Sequence, residues 1–234
     1  MPHSFICAEV SLLCLLILVR EQNKIMPATI RDGYLETLDH IDSVYAKLTA
    51  EVGRGRAFSF PDVHKLTEGL FLSAWTYWEG FLFDLILEDL GSDANGILRR
   101  NVRHFRTKNA PFRLADFILN HPDHPEKFVE WSDYNLVVKR ADEFLGAGHR
   151  FVSPLQQGDD IIKLKRIRNA IAHRSDKAWD SFISLVTSSP FSLTVGQRKG
   201  ITPGRFLYSH QWNNTTAMSN SVAVLRAAAN VLVP

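Results

Sequence analysis

The chain has 234 residues, 45% of them apolar and 22% charged. That composition fits a globular protein with one sizeable core and excludes an intrinsically disordered chain. A formal net charge of +2 is too small to mark a nucleic-acid binder by itself. Both cysteines, Cys7 and Cys14, precede residue 15, which excludes a disulfide framework or a cysteine-based zinc site for the rest of the chain and fits a reducing, cytoplasmic setting.

Residues 1–25 contain the apolar run "SFICAEVSLLCLLILV". It is shorter than the roughly 20 residues a spanning helix needs, Glu9 interrupts it, and it lacks the basic start and small-residue cleavage site of a secretory signal. An over-extended reading frame, a short packed or disordered leader and a membrane anchor or signal all stay open, with the first expected, because "MPATIRDGYLETLDHI" from Met26 reads as a natural start. No stable membrane association is expected.

From there the pattern is helical. Ile30, Tyr34, Leu38, Ile41 and Tyr45 recur at steps of three and four. The next segment, "SFPDVHKLTEGLFLSAWTYWEGFLFDLILEDLG", predicts a long helix capped by Ser59, opened by Pro61 and closed by Gly91. Its expected stripe is Val63, Leu66, Leu70, Ala74, Trp78, Leu82 and Leu85, flanked by Phe71, Trp75, Phe81 and Phe83. Apolar over more than half its girth, it belongs in the centre of a bundle or at a subunit interface. "DANGILRRNVRHF", "PFRLADFILN" and "DYNLVVKRADEFLG" read as shorter helices. "DDIIKLKRIRNAIAHR" is a basic helix, and "DKAWDSFISLV" is helical again. In "SLTVGQRKGITPGRFLY" the β-branched residues, glycines and proline suggest a small β-hairpin or an irregular excursion near 192–208. "AMSNSVAVLRAAANVLV" closes as a helix. The expectation is one all-α domain over 27–234, an antiparallel helical bundle, behind a leader at 1–25.

The basic helix contains "RNAIAHR", Arg168 to Arg174. At about 100° per residue, Leu164, Ile167 and Ile171 share one packing face. Asn169 and His173, four apart, fall on nearly the opposite face of a continuous helix. Arg168 lies at the edge of the apolar face, where its methylenes can run along the core and its guanidinium can reach the histidine. Lys165 adds positive charge four residues before Asn169.

Arg-x4-His with a polar residue directly after the arginine is the signature of the HEPN superfamily, and "IRNAIAH" resembles its commonest form. The apolar "LFLSAWTYWEGFLFDLILEDL" upstream resembles the long helix that precedes the motif in that superfamily. The resemblance implies an all-α bundle of HEPN type, usually a homodimer with two motifs facing across a cleft. Many members are metal-independent endoribonucleases of toxin–antitoxin or antiviral systems; others are silent modules that bind a protein or nucleic acid. Arg168, Asn169 and His173 are the matching positions. The resemblance also implies an RNA substrate, a possible cognate antitoxin protein and no cofactor.

The residue chemistry points the same way. RNA carries its own nucleophile in the 2′-hydroxyl, and an imidazole can move its proton. A guanidinium can grip the phosphate with two N–H groups and stabilise the charge that develops there. Asn169 can hold the ring or bond the phosphate. Glu79, among Trp75, Leu82, Phe83 and Ile86, is costly to bury unpaired. It is a supporting candidate that pairs with an arginine or orients the site, with a structural buried ion pair as the plainer alternative, and Lys165 is a second. Trp75 and Trp78 read as core. The basic run "RRNVRHFRTK" offers Arg99, Arg100, Arg103 and Arg106 as RNA contacts, with a solvated face as the plainer reading. His121, Asp123 and His124 of "HPDHPE" have the residue types of metal ligands but read as a solvated turn, so no metal is expected.

Overall fold

A computed structural model describes residues 26–92, 131–151, 157–173 and 175–234. Among the described residues it is a helical protein, as expected, with eight helices and one two-stranded hairpin. The helices predicted over "DANGILRRNVRHF" and "PFRLADFILN" lie outside the described residues, as do the leader and "HPDHPE".

The first helix, α1 (Pro27–Ala50), starts on Pro27, whose missing N–H costs nothing in a first turn. It buries Tyr34, Leu38, Ile41, Tyr45 and Leu48, steps of four and three that keep one seam facing a partner helix. That partner is α2 (Phe60–Ser92). A tight connection joins them: Gly53 donates to Phe58 O, and Gly53 and Gly55 take the positive φ values of 128° and 77° that favour glycine. Across the seam Tyr34 stacks on Phe81 with ring centroids 4.9 Å apart and leans on Trp78.

Ser59 and Asp62 exchange hydrogen bonds at the start of α2, the expected cap reinforced by a carboxylate. The buried face differs from the expected stripe. Leu66 is 44% exposed and Leu70 only partly buried, while Phe71 and Trp75 belong to the core with Val63, Ala74, Trp78, Leu82 and Leu85. The reason is angular: the core face is centred near Trp78, and Leu66 lies about 120° from it around the helix. By length and composition α2 could also cross a membrane, but its Phe71, Trp75, Trp78 and Phe81 side chains lie in the core of the fold.

Next come α3 (Tyr134–Leu145), α4 (Gly158–Ala172) and α5 (Asp176–Thr187). α4 and α5 pack against each other, and Arg166 Nε donates to Ser181 Oγ at 3.1 Å. The expected hairpin near 192–208 is two short helices instead, α6 (Val195–Arg198) and α7 (Pro203–Ser209). Thr194 and Gln197 form a capping box on α6; Thr202 caps α7 and Pro203 opens it. Local cap chemistry thus outweighs the β-branched composition. A hairpin does occur just downstream: β1 (Gln211–Trp212) and β2 (Thr215–Thr216) pair antiparallel around Asn213 and Asn214. Both asparagines have positive φ, 51° and 66°, as a two-residue hairpin turn requires.

The last helix, α8 (Ala217–Leu232), is buried on most of its surface and touches α1, α2, α4 and α7. Arginines meet the carbonyls at its end: Arg31 donates to Val233 O at 2.9 Å, and Arg150 reaches Leu232 O while gripping the Asp89 carboxylate.

Candidate functional site

The motif helix α4 carries Asp159 and Asp160 in its first turn, where carboxylates suit the helix dipole. Leu164 and Ile167 are fully buried and Ile171 partly so, which anchors the packing face as expected. Arg168 sits at the edge of that face with its side chain 17% exposed.

His173 is not helical. α4 ends at Ala172, and His173 is its C-cap in extended backbone (φ −114°, ψ 108°), its N–H closing on Asn169 O at 2.8 Å. The expected stacking of Asn169 and His173 on one continuous helical face is therefore replaced by a turn out of the helix. The cause lies two residues on: Ser175 accepts from Ala178 N as the N-cap of α5, a role that needs extended backbone. Two helices meet head to tail, and the histidine occupies the break.

From the break the ring folds back onto the arginine. Arg168 Nη1 lies 3.1 Å from His173 Nε2 and donates to Asn169 Oδ1 at 3.1 Å. A guanidinium has only donors, so in this contact Nε2 is the acceptor and the ring proton sits on Nδ1. Behind the arginine, Arg168 Nη2 is 3.7 Å from Glu79 Oε1 on α2, and that same oxygen accepts from Trp75 Nε1 at 2.7 Å. Arg168, Asn169, His173 and Glu79 thus form one cluster drawn from α4, its break and α2. It runs from the fully packed Trp75 to the exposed His173.

Lys165 points elsewhere. Its Nζ bonds Asp133 Oδ2 at 2.9 Å, and Asp133 also caps α3 by accepting from Leu136 N. It tethers α4 to α3 rather than joining the cluster. Arg99, Arg100, Arg103 and Arg106 lie outside the described residues, as do His121, Asp123 and His124. Trp75 and Trp78 are core, as expected. What the sequence reading missed is the second role of Trp75, although its spacing of four from Glu79 places the pair on one helix face. Asp133 went unread too, its Asp-x-x-Leu cap being the available signal.

A groove of about 710 Å³ opens elsewhere, between α1, α7 and the first half of α8. Asp42, Tyr45, Tyr208, Thr216, Ser219 and Arg226 are among its lining residues. Burial raises the Asp42 carboxyl above its usual range despite the Arg226 guanidinium beside it. No family model, curated protein or solved structure matches the chain. The cluster is therefore read from its own chemistry.

Proposed function

We propose that this is a HEPN-type helical protein that cleaves RNA by 2′-hydroxyl attack, with Arg168, Asn169 and His173 as the reacting group. One observation carries the reading: an acceptor imidazole nitrogen 3.1 Å from a guanidinium that a carboxylate backs from the core. When Arg168 turns from the ring to the substrate phosphate, the lone pair of His173 Nε2 is released and takes the proton of the 2′-hydroxyl, and the 2′-oxygen bonds to phosphorus. Arg168 and Asn169 hold the non-bridging oxygens as charge develops. The bond to the 5′-oxygen breaks, that oxygen takes a proton, and the products are a 2′,3′-cyclic phosphate and a 5′-hydroxyl. One imidazole cannot be base and acid at the same instant. A homodimer with two facing motifs supplies the second, and the symmetry of such an interface matches the two motifs in pairs. In this reading the protein acts in the cytoplasm as a toxin or defence factor, with an antitoxin as partner where it is a toxin.

A second reading, a silent HEPN-like module that binds a protein or nucleic acid, draws on a specific feature. The Arg168 guanidinium already meets Asn169, His173 and Glu79, and a substrate phosphate must compete with them. The test is cleavage of RNA by the purified full chain in the presence of a chelator. Cyclic-phosphate ends, lost in His173→Ala, support the ribonuclease. RNA binding without cleavage supports the silent module, and cleavage abolished by the chelator overturns the proposed chemistry.

A further inference from the structure

We propose that Trp75 is a positioning residue for the Arg168–His173 site, acting through Glu79; the inference rests on the ribonuclease reading above. Trp75 is 1% exposed, its ring locked among the core residues of α2. Its Nε1 donates to Glu79 Oε1 at 2.7 Å, a length typical of a bond to a carboxylate. The same oxygen faces Arg168 Nη2 at 3.7 Å, and Nη1 of that guanidinium faces His173 Nε2 at 3.1 Å. The indole can only donate and does not titrate, so it offers the carboxylate a fixed dipole at every working pH. An arginine side chain has many rotamers to choose among. Fixing the carboxylate from the core limits which of those rotamers the guanidinium uses beside the exposed histidine.

The plainer account is that a buried indole N–H merely needs a partner. One turn along the same helix argues against it as a full explanation. Trp78 is 0% exposed, and its Nε1 finds no partner among the described residues, so among those residues a buried indole is not by itself matched to an acceptor. What sets Trp75 apart is that its acceptor is the group that faces Arg168. Trp78 is therefore a built-in control for loss of ring packing.

The test compares Trp75→Phe, Trp78→Phe, Glu79→Ala and the Trp75→Phe/Glu79→Ala double variant in the full chain. Two readouts are used: RNA cleavage kinetics and the NMR resonance of the His173 Cε1–H. Trp75→Phe should lower kcat about tenfold with KM for RNA little changed, since Trp75 is placed behind the site. Trp78→Phe should stay within about twofold. The double variant should be no slower than Glu79→Ala, because both changes remove one connection. The His173 resonance should move in Trp75→Phe and Glu79→Ala and stay in place in Trp78→Phe. If Trp75→Phe does not fold, benzothienyl-alanine at position 75 keeps the ring volume and removes only the N–H. Equal behaviour of the two tryptophan variants in both readouts overturns the proposal, as does further slowing in the double variant. If the wild-type chain does not cleave RNA, the ribonuclease reading fails by itself, and the His173 resonance still decides whether Trp75 reaches the site.

Discussion

Glu68 and Glu79 sit eleven residues apart on α2, which places them about 20° apart around the helix. Both are carboxylates on an otherwise apolar element, and the fold treats them differently. Glu68 is 7% exposed; one oxygen accepts from the backbone N–H of Gly204 at 3.0 Å, where α7 meets α2, and the other takes the Lys65 ammonium one turn back. The two helices are so close there that a Cβ on Gly204 would lie 2.2 Å from the carbonyl oxygen of His64. Glu79 is 22% exposed and faces a side chain, Arg168, that ends beside an exposed histidine. A carboxylate that binds a backbone amide at a tight crossing holds two helices together. One that faces a guanidinium also in contact with Asn169 and His173 connects the core to the surface cluster.

The sharpest way to break this comparison, on the ribonuclease reading proposed above, is to remove the exposed end of the cluster. His173→Ala should reduce cleavage by about 10²–10⁴-fold, while stability changes by no more than about 0.5 kcal/mol because the side chain is exposed. A folded His173→Ala protein with full activity would put the site elsewhere. The structural end should behave in the opposite way. Gly204→Ala should cost about 3 kcal/mol or more, since backbone stands where the methyl must go. Glu68→Ala, which strands the Gly204 N–H, should cost about 1–3 kcal/mol. Both would be read by urea unfolding, and cleavage per folded molecule should be unchanged. Glu79→Ala lies between them. It should slow cleavage about tenfold, the loss of one bond to a charged group, with a smaller effect on stability than Glu68→Ala.

The smallest effect concerns pH, and it also belongs to the Glu68 region. His64 and His210 titrate below their ordinary value of 6.5, in each case chiefly through burial and then through Arg205. Their folded forms resist protonation, so the unfolded chain binds more protons on acidification. The stability tied to them is therefore present above about pH 6.5 and lost as pH falls from there through their lower folded values. The thermal midpoint should decline between pH 7 and pH 5, and His64→Gln/His210→Gln should flatten the decline. An unchanged slope would remove the histidines as its cause.

Much of this protein is legible in one dimension. Helical spacing places the seam from Tyr34 to Tyr45, and cap chemistry marks the start at Ser59. The same 3.6-residue period that packs Leu164 and Ile167 puts Arg168 at the edge of their face. These features depend on neighbours within about four residues, so a sequence displays them directly. Other features depend on which surfaces meet. The core side of α2 was set by α1 and α7, which turned Leu66 out and Phe71 and Trp75 in. Caps at Thr194 and Thr202 competed with the β-branched residues around them, and the hairpin formed instead where Asn213 and Asn214 could both adopt positive φ. The break at His173 arose because Ser175 caps the next helix, and it redirects the ring toward Arg168. The contact between Glu79 and Arg168 spans 89 positions of chain, and only packing α2 against α4 brings it to 3.7 Å. Short-range periodicity thus determined the elements and the edge position of the arginine. Long-range packing, which no local pattern encodes, decided what stands behind that arginine and which way the histidine faces.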